Sequence, residues 1–353
     1  MPGAQAKLGL EKEAKQTFAT VHLLADSLED PLGHTEAPQA IAKAQAEAGM
    51  AAEADGDFRK ALALAEGFEI PAGAQCIVVP SPEIKLEALL RSLAEQQSRA
   101  GDVSSSLTAA RSIKYNPSIR TEALAAIAAI QSQSGHQSEA RAILKEALEA
   151  AASSQTPPEH WPSCRSVRHL AASDDLYVEL LGTVAKAQAR AGLIEDATVT
   201  LEAALQFVPT IKDNSIQTAD LAKSLALSDI ALAQNEAGLT SQSAATLERA
   251  AQAASQVNDR IFPLLALIKL GRAQGKTGHL NDAAATFDKT EAPARALPND
   301  AQRALNLLDI FNARVDLGLA DETDDTMAAS LEAARSIPQK SKPILLLRRI
   351  AQA

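Results

Sequence analysis

The sequence predicts an all-α protein, a right-handed α-solenoid of about eight antiparallel helix pairs. Three observations support that class. One glycine-centred frame recurs along the 353 residues, at Gly9, Gly49, Gly101, Gly135, Gly192, Gly238, Gly278 and Gly318. Large apolar residues precede each glycine at helical spacing, and small residues follow it at a fixed distance. Composition agrees: the chain is 46% apolar but only 3% aromatic, so its core must be built from Ala, Leu, Ile and Val, and Ala and Leu are strong helix formers.

The first helix of each pair is read upstream of the glycine. Eleven residues before it stand Leu90, Leu124, Leu181, Leu227, Leu267 and Leu307, with Pro38 the exception. Eight before it stand Ile41, Leu93, Ile127, Val184, Ile230, Leu270 and Ile310. Spacings of three and four put these on one stripe of an amphipathic helix. The next residue is small (Ala42, Ala94, Ala128, Ala185, Ala231, Gly271), or Phe311 in the last copy. The glycine ends the helix because it takes the left-handed cap conformation without steric cost. In the second helix, Ala14, Ala54, Ala140, Ala197 and Ala283 lie five residues past the glycine. Phe18, Phe58, Leu144, Leu201, Leu247, Phe287 and Met327 lie four further on, filling the space between helices.

Along the chain the copies differ mainly in the length of the connection after the second helix. Successive glycines are 40, 52, 34, 57, 46, 40 and 40 residues apart. The extra length falls in three inserts, 67–82, 153–175 and 208–219, which should line one edge of the stack. Pro82, Pro117 and Pro343 fit first helical turns. The first copy holds little of its opening helix. Leu347, Ile350, Ala351 and Ala353 fit a further copy whose glycine would fall at position 358. The expectation is one solenoid domain over 1–353, either a fragment of a longer array or one whose open ends self-associate; frayed terminal half-repeats are the alternative.

These residues resemble the tetratricopeptide-repeat family. The family's A-x3-F stands at Ala14–Phe18, Ala54–Phe58 and Ala283–Phe287, and the 34-residue spacing equals its period. Leu replaces the aromatic that opens the family's first helix. Gln replaces its tyrosine (Gln5, Gln45, Gln97, Gln131, Gln188, Gln234, Gln274), with Arg314 in the last copy. The pattern is nearest the Ala-rich bacterial variants with IAxAQAxAG helices. The resemblance implies a non-catalytic scaffold that binds proteins or peptides on a concave face lined by first helices.

Candidate contact residues come from that face. Six residues before each glycine stand Lys43, Glu95, Ala129, Lys186, Leu232, Arg272 and Asn312, with Arg91, Arg190, Lys269 and Lys276 nearby. So many cations in a chain of net charge -10 suit an acidic peptide or a carboxylate. The family's carboxylate-clamping pairs of Lys and Asn are not reproduced. The overall charge and a pI near 5.2 argue against nucleic acid or an anionic membrane as partner. The glutamine column reads as half-buried amides bonded to a neighbouring turn rather than as a peptide-binding row.

No residue pattern indicates catalysis, a metal or a cofactor. GRAQGKTG at 271–278 lacks the first glycine of a phosphate loop, since that place holds Leu270. The insert at 153–175 gathers His160, Trp161, Cys164 and His169. These types could hold zinc or a nucleophile, which makes an enzyme or metal protein the competing reading. The spacing matches no familiar ligand set, and Trp161 pinning a loop accounts for it. A regulatory segment of a larger protein is the third reading. His22, His34, His136 and His279 share no spacing and read as solvated side chains. The acidic run Asp321-Glu322-Thr323-Asp324-Asp325 reads as favourable charge at a helix start rather than a calcium loop. Cys76 and Cys164 cannot form a disulfide framework, and with no signal-peptide core the chain is expected in the cytoplasm.

Overall fold

In the computed structural model, residues 10–29, 31–67, 82–114, 116–155, 174–213, 218–258, 262–319 and 324–337 are described. They contain fifteen α-helices and no strand. The chain divides into two units, residues 1–193 and 194–353. The first holds α1 (Glu11–Asp26), α2 (Pro31–Glu47), α3 (Ala51–Glu66), α4 (Pro82–Arg99), α5 (Val103–Arg111), α6 (Pro117–Gln133), α7 (Gln137–Ala152) and α8 (Asp174–Arg190). The second holds α9 (Ile194–Phe207), α10 (Ala219–Glu236), α11 (Thr240–Gln256), α12 (Phe262–Lys276), α13 (Leu280–Arg295), α14 (Asp300–Asp316) and α15 (Asp324–Ser336). Within each unit, consecutive helices pack as pairs (α2 with α3, α6 with α7, α10 with α11, α12 with α13), and each first helix also packs on the next first helix. The chain is an all-α helical repeat.

Seven of the eight frame glycines are described, and all seven turns are one motif repeated. Gly49, Gly101, Gly135, Gly192, Gly238, Gly278 and Gly318 have φ between +71° and +91°. Each glycine N–H donates to the carbonyl three residues back, and the next N–H reaches five back, as in His136 N to Gln131 O at 2.9 Å and Leu319 N to Arg314 O at 2.8 Å. Those two bonds define the Schellman closure, which satisfies carbonyls a helix end leaves open. The column residue (Gln45, Gln97, Gln131, Gln188, Gln234, Gln274 or Arg314) always supplies the acceptor of the longer bond. Its main chain is therefore part of the turn. After Gly49, Gly101, Gly135, Gly238 and Gly278 the next residue starts the second helix at once, its carbonyl accepting from the N–H four residues on.

The seam within each pair is closed by small side chains. Ala54, Ala140 and Ala283 are buried against the first helices. At the same place two other copies carry Ser106 and Ser243, residues the alanine pattern passes over. Their hydroxyls donate to Ala94 O and Ala231 O, each at 2.7 Å. Both acceptors are the small residue seven before the glycine, so the bond spans the seam at its narrowest point. Where that residue is Gly271, the ring of Phe287 occupies the space a Cβ would need, 2.7 Å from Cε1.

Helix starts follow ordinary capping chemistry where the sequence supplies it. Asp102, Asn116, Thr218 and Asn299 each accept a main-chain N–H of the following turn. Pro82 and Pro117 open α4 and α6, while Pro38 and Pro293 lie inside α2 and α13. At the inserts, α7 runs to Ala152 and continues as a 3-10 turn over Ser153–Gln155, and a second such turn spans Val208–Thr210. Residues 68–81, 156–173 and 214–217, with Gly9, Cys76, His160, Trp161, Cys164, His169, Pro343 and Asp321–Thr323, lie outside the described residues.

Candidate functional site

The first-helix cations sit on helices, and several reach across to the neighbouring first helix. Arg91 of α4 pairs with Glu122 of α6 and lies 3.8 Å from Glu95 on its own helix. Lys269 of α12 meets Asp229 of α10 at 2.5 Å. Arg272 donates to the Asp309 carbonyl of α14 at 3.3 Å. These three therefore tie adjacent repeats together. Lys186 and Asn312 are half-buried, Arg190 is exposed, and Lys43 is exposed on α2. Arg190 and Lys186 carry interactions of their own.

The second helices carry matching ties. Lys15 and Glu53 lie 3.3 Å apart, and Lys60 meets Asp26 at 2.7 Å, joining α1 to α3. His22 Nε2 lies 3.1 Å from Asp57 Oδ2, so this histidine has a carboxylate partner and is not merely solvated. Arg111 of α5 grips Glu146 of α7 with Nε to Oε1 at 3.0 Å and Nη2 to Oε2 at 2.9 Å. Those hydrogen bonds hold the Glu146 carboxyl below its ordinary value and raise the guanidinium. His136 and His279 do share a place: each directly follows a frame glycine and caps the second helix through its carbonyl.

The glutamine column is buried. Gln45, Gln97, Gln131, Gln188 and Gln234 are each at most 4% exposed, so none lines an open groove. Gln274 Oε1 accepts from Thr286 Oγ1 at 2.7 Å. The expected side-chain bonds fail for Gln97, whose amide nitrogen and oxygen are both buried without a partner among the described residues, and for the amide oxygens of Gln45, Gln188 and Gln234. In the last copy the column residue is Arg314, whose side chain is buried between α13 and α15. It donates to Asp288 Oδ1 at 2.6 Å and to Glu291 Oε2 at 3.0 Å. Arg295 and Thr326 also donate to Glu291 Oε1, at 2.6 and 2.9 Å. Burial alone would raise the Glu291 pKa; the bonds from Arg295 and Thr326 and the two guanidinium charges outweigh it and hold the value down.

Among the described residues of the first unit, two depressions bear on the site. One, of ≈ 400 Å³, is almost wholly apolar and lies between α1 and α2, beneath Phe18, Leu24, Leu28 and Ile41. The other, of ≈ 340 Å³, lies where α2, α3 and α4 meet, and Lys43 and Arg99 stand at it. Among the described residues no group of three or more His, Cys, Asp or Glu could hold a metal ion. No described helix is long and apolar enough to cross a membrane.

No protein-family model matches the chain, and no curated protein does. Among solved structures it is similar to a Rap protein complexed with competence and sporulation factor, at 10% identity and a TM-score of 0.33, covering 99% of this chain and 94% of that one. It is also similar to Ton1535 from Thermococcus onnurineus NA1, at 14% identity and a TM-score of 0.26, covering 99% and 97%. At scores this low the fold rests on the chain's own packing.

Proposed function

We propose that the chain is a tetratricopeptide-like, non-catalytic scaffold that binds proteins or peptides. The repeat itself supports this reading most. Seven copies of one turn, with seams closed by alanine and serine, use the interior for stacking and leave the first-helix surface to vary from copy to copy. Lys43, Glu95, Ala129, Lys186, Leu232, Arg272 and Asn312 occupy one frame position in seven copies, and no two neighbouring copies present the same chemistry there. An interior under constant demand and a surface under variable demand fit recognition of partners. The reading places recognition on the first-helix face of each unit, at Lys43 and Lys186 in the first and at Asn312 in the second. The partner is a protein with acidic segments in the cytoplasm, and the chain's net charge of -10 disfavours nucleic acid and anionic lipid.

The test is crosslinked capture from native lysate, with wild type beside a Lys186→Glu, Asn312→Glu double variant whose helicity and melting match. Partners held by wild type and released by the variant support recognition through the first-helix face. An identical set on both proteins refutes that face as the binding surface, and an empty wild-type capture refutes the scaffold reading.

A further inference from the structure

The three-helix joint behind the ≈ 340 Å³ depression differs from the same joint at the Gly135 and Gly278 turns. At the Gly135 turn, the residue two past the glycine is Gln137, whose Nε2 donates to the Ala191 carbonyl at the end of the next first helix. The amide plugs the joint. In the second unit Leu317, just before Gly318, plugs it differently: its side chain fills the space where a Cβ on Gly275 would stand. At the Gly49 turn the corresponding residues are Ala51 and Ala100, too short to meet, and the joint stays open.

The open joint has a mixed lining. Ala46, Ala51, Ala54, Phe58 and Ala100 make an apolar floor. Gln96 donates its Nε2 to Ser92 Oγ at 2.9 Å, while its amide oxygen is buried without a partner among the described residues. Lys43, Arg99 and Glu47 complete the lining, one net positive charge in a strongly negative chain. Neither Lys43 nor Arg99 has an ion-pair partner among the described residues. The volume is at the small end of ligand sites, which run about 300–1,000 Å³. It takes a side chain and its flanks rather than a folded surface.

We propose that this open joint docks a short extended segment of a partner protein, one aliphatic side chain on the alanine and Phe58 floor with a neighbouring carboxylate at Lys43 and Arg99. Rotation of the Gln96 amide into the joint would let it bond the main chain of such a segment, whose N–H a fatty carboxylate does not have. The proposal rests on the scaffold reading and names the chemistry one of its sites selects. The test is fluorescence polarisation on the full chain with a labelled Gly-Ser-Asp-Leu-Glu-Ser-Gly peptide. Two variants run beside wild type: Ala51→Gln, which installs the residue that plugs the Gly135 joint, and Lys43→Glu.

The expected result is saturable wild-type binding, weakened about tenfold or more by each variant and by replacing the peptide leucine with glycine. Ala51 is exposed in the first turn of α3 and glutamine is a good helix former, so helicity and melting should not change. No wild-type binding at millimolar peptide overturns the proposal, as does binding that Ala51→Gln leaves intact. Either outcome beside a positive lysate capture rejects this site alone and leaves the scaffold reading standing.

Discussion

The contact between Gly271 and Phe287 converts a one-atom change into a measurable cost. Replacing Gly271 by Ala in α12 gains the usual advantage of removing a helix-interior glycine, about 0.5–1 kcal/mol. The new methyl would stand 2.7 and 2.8 Å from Cε1 and Cζ of Phe287, a ring with no exposed surface. Overpacking of that kind costs about 1–3 kcal/mol. The net expectation is a loss of about 0.5–2 kcal/mol. Phe287→Leu should relieve it, because Ala128 with Leu144 and Ala231 with Leu247 occupy the same two frame positions in other copies without strain. Ala42 coexists with Phe58 in the second copy, but there the ring borders the open joint and has room to shift.

A double-mutant cycle by urea unfolding, followed by far-UV circular dichroism, reads the coupling directly. The double variant should be less destabilised than the sum of its parts by about 1 kcal/mol. A Gly271→Ala protein as stable as wild type, or strict additivity, would refute the packing account.

At the Gly135 turn φ is +85° and no atom lies within 4 Å of the place an added methyl would take, so Gly135→Ala should lose about 1–2 kcal/mol from backbone strain alone, with Gly135→Asn losing less in the same thermal melt. Arg314→Leu removes one of three donors to Glu291, which keeps Arg295 and Thr326, and should cost about 1.5–3 kcal/mol; Arg314→Gln, the residue of the other copies, should cost less in urea unfolding. Glu291 and Glu146 both have folded values below their ordinary 4.5, so the stability they contribute is complete above about 4.5 and is lost as pH falls through the lowered values. Acid titration of Glu291→Gln should accordingly show a flatter loss than wild type. Ser243→Ala removes the bond to Ala231 O but installs the residue other copies use, so the melt should shift by no more than about 1 kcal/mol allows.

Much of the architecture was legible because glycine and helical spacing report local geometry. A left-handed residue must end each first helix, and the stripe through Leu124 and Ile127 must face a core, whatever the neighbours are. The seam serines were hidden by their polarity, although their frame position equals that of Ala54 and Ala140. The ties were not legible at all. Arg91 and Glu122, or Lys269 and Asp229, are separated by some 31 and 40 residues, and nothing local says which carboxylate a cation meets. The same blindness applies to His22 with Asp57. The open joint was invisible for a different reason: it arises from two alanines, Ala51 and Ala100, that are individually ordinary and matter only because longer residues stand at the equivalent places elsewhere.

The ion pairs between equivalent helices have a further consequence. Alanine and leucine seams are nearly interchangeable, so by core chemistry alone one helix pair could stack on a wrong neighbour almost as well as on its own. The surface charges are not interchangeable. The α4 cation Arg91 finds its acid on the following first helix, whereas the α12 cation Lys269 finds its acid on the preceding one. Among second helices, Lys15 reaches forward to Glu53 while Lys60 reaches back to Asp26. A transposed or slipped repeat would part several of these pairs, each an exposed pair worth only a little by itself. The running order of the repeats is thus written on the outside of the stack, as an address system that rejects shuffled neighbours while the interior stays generic.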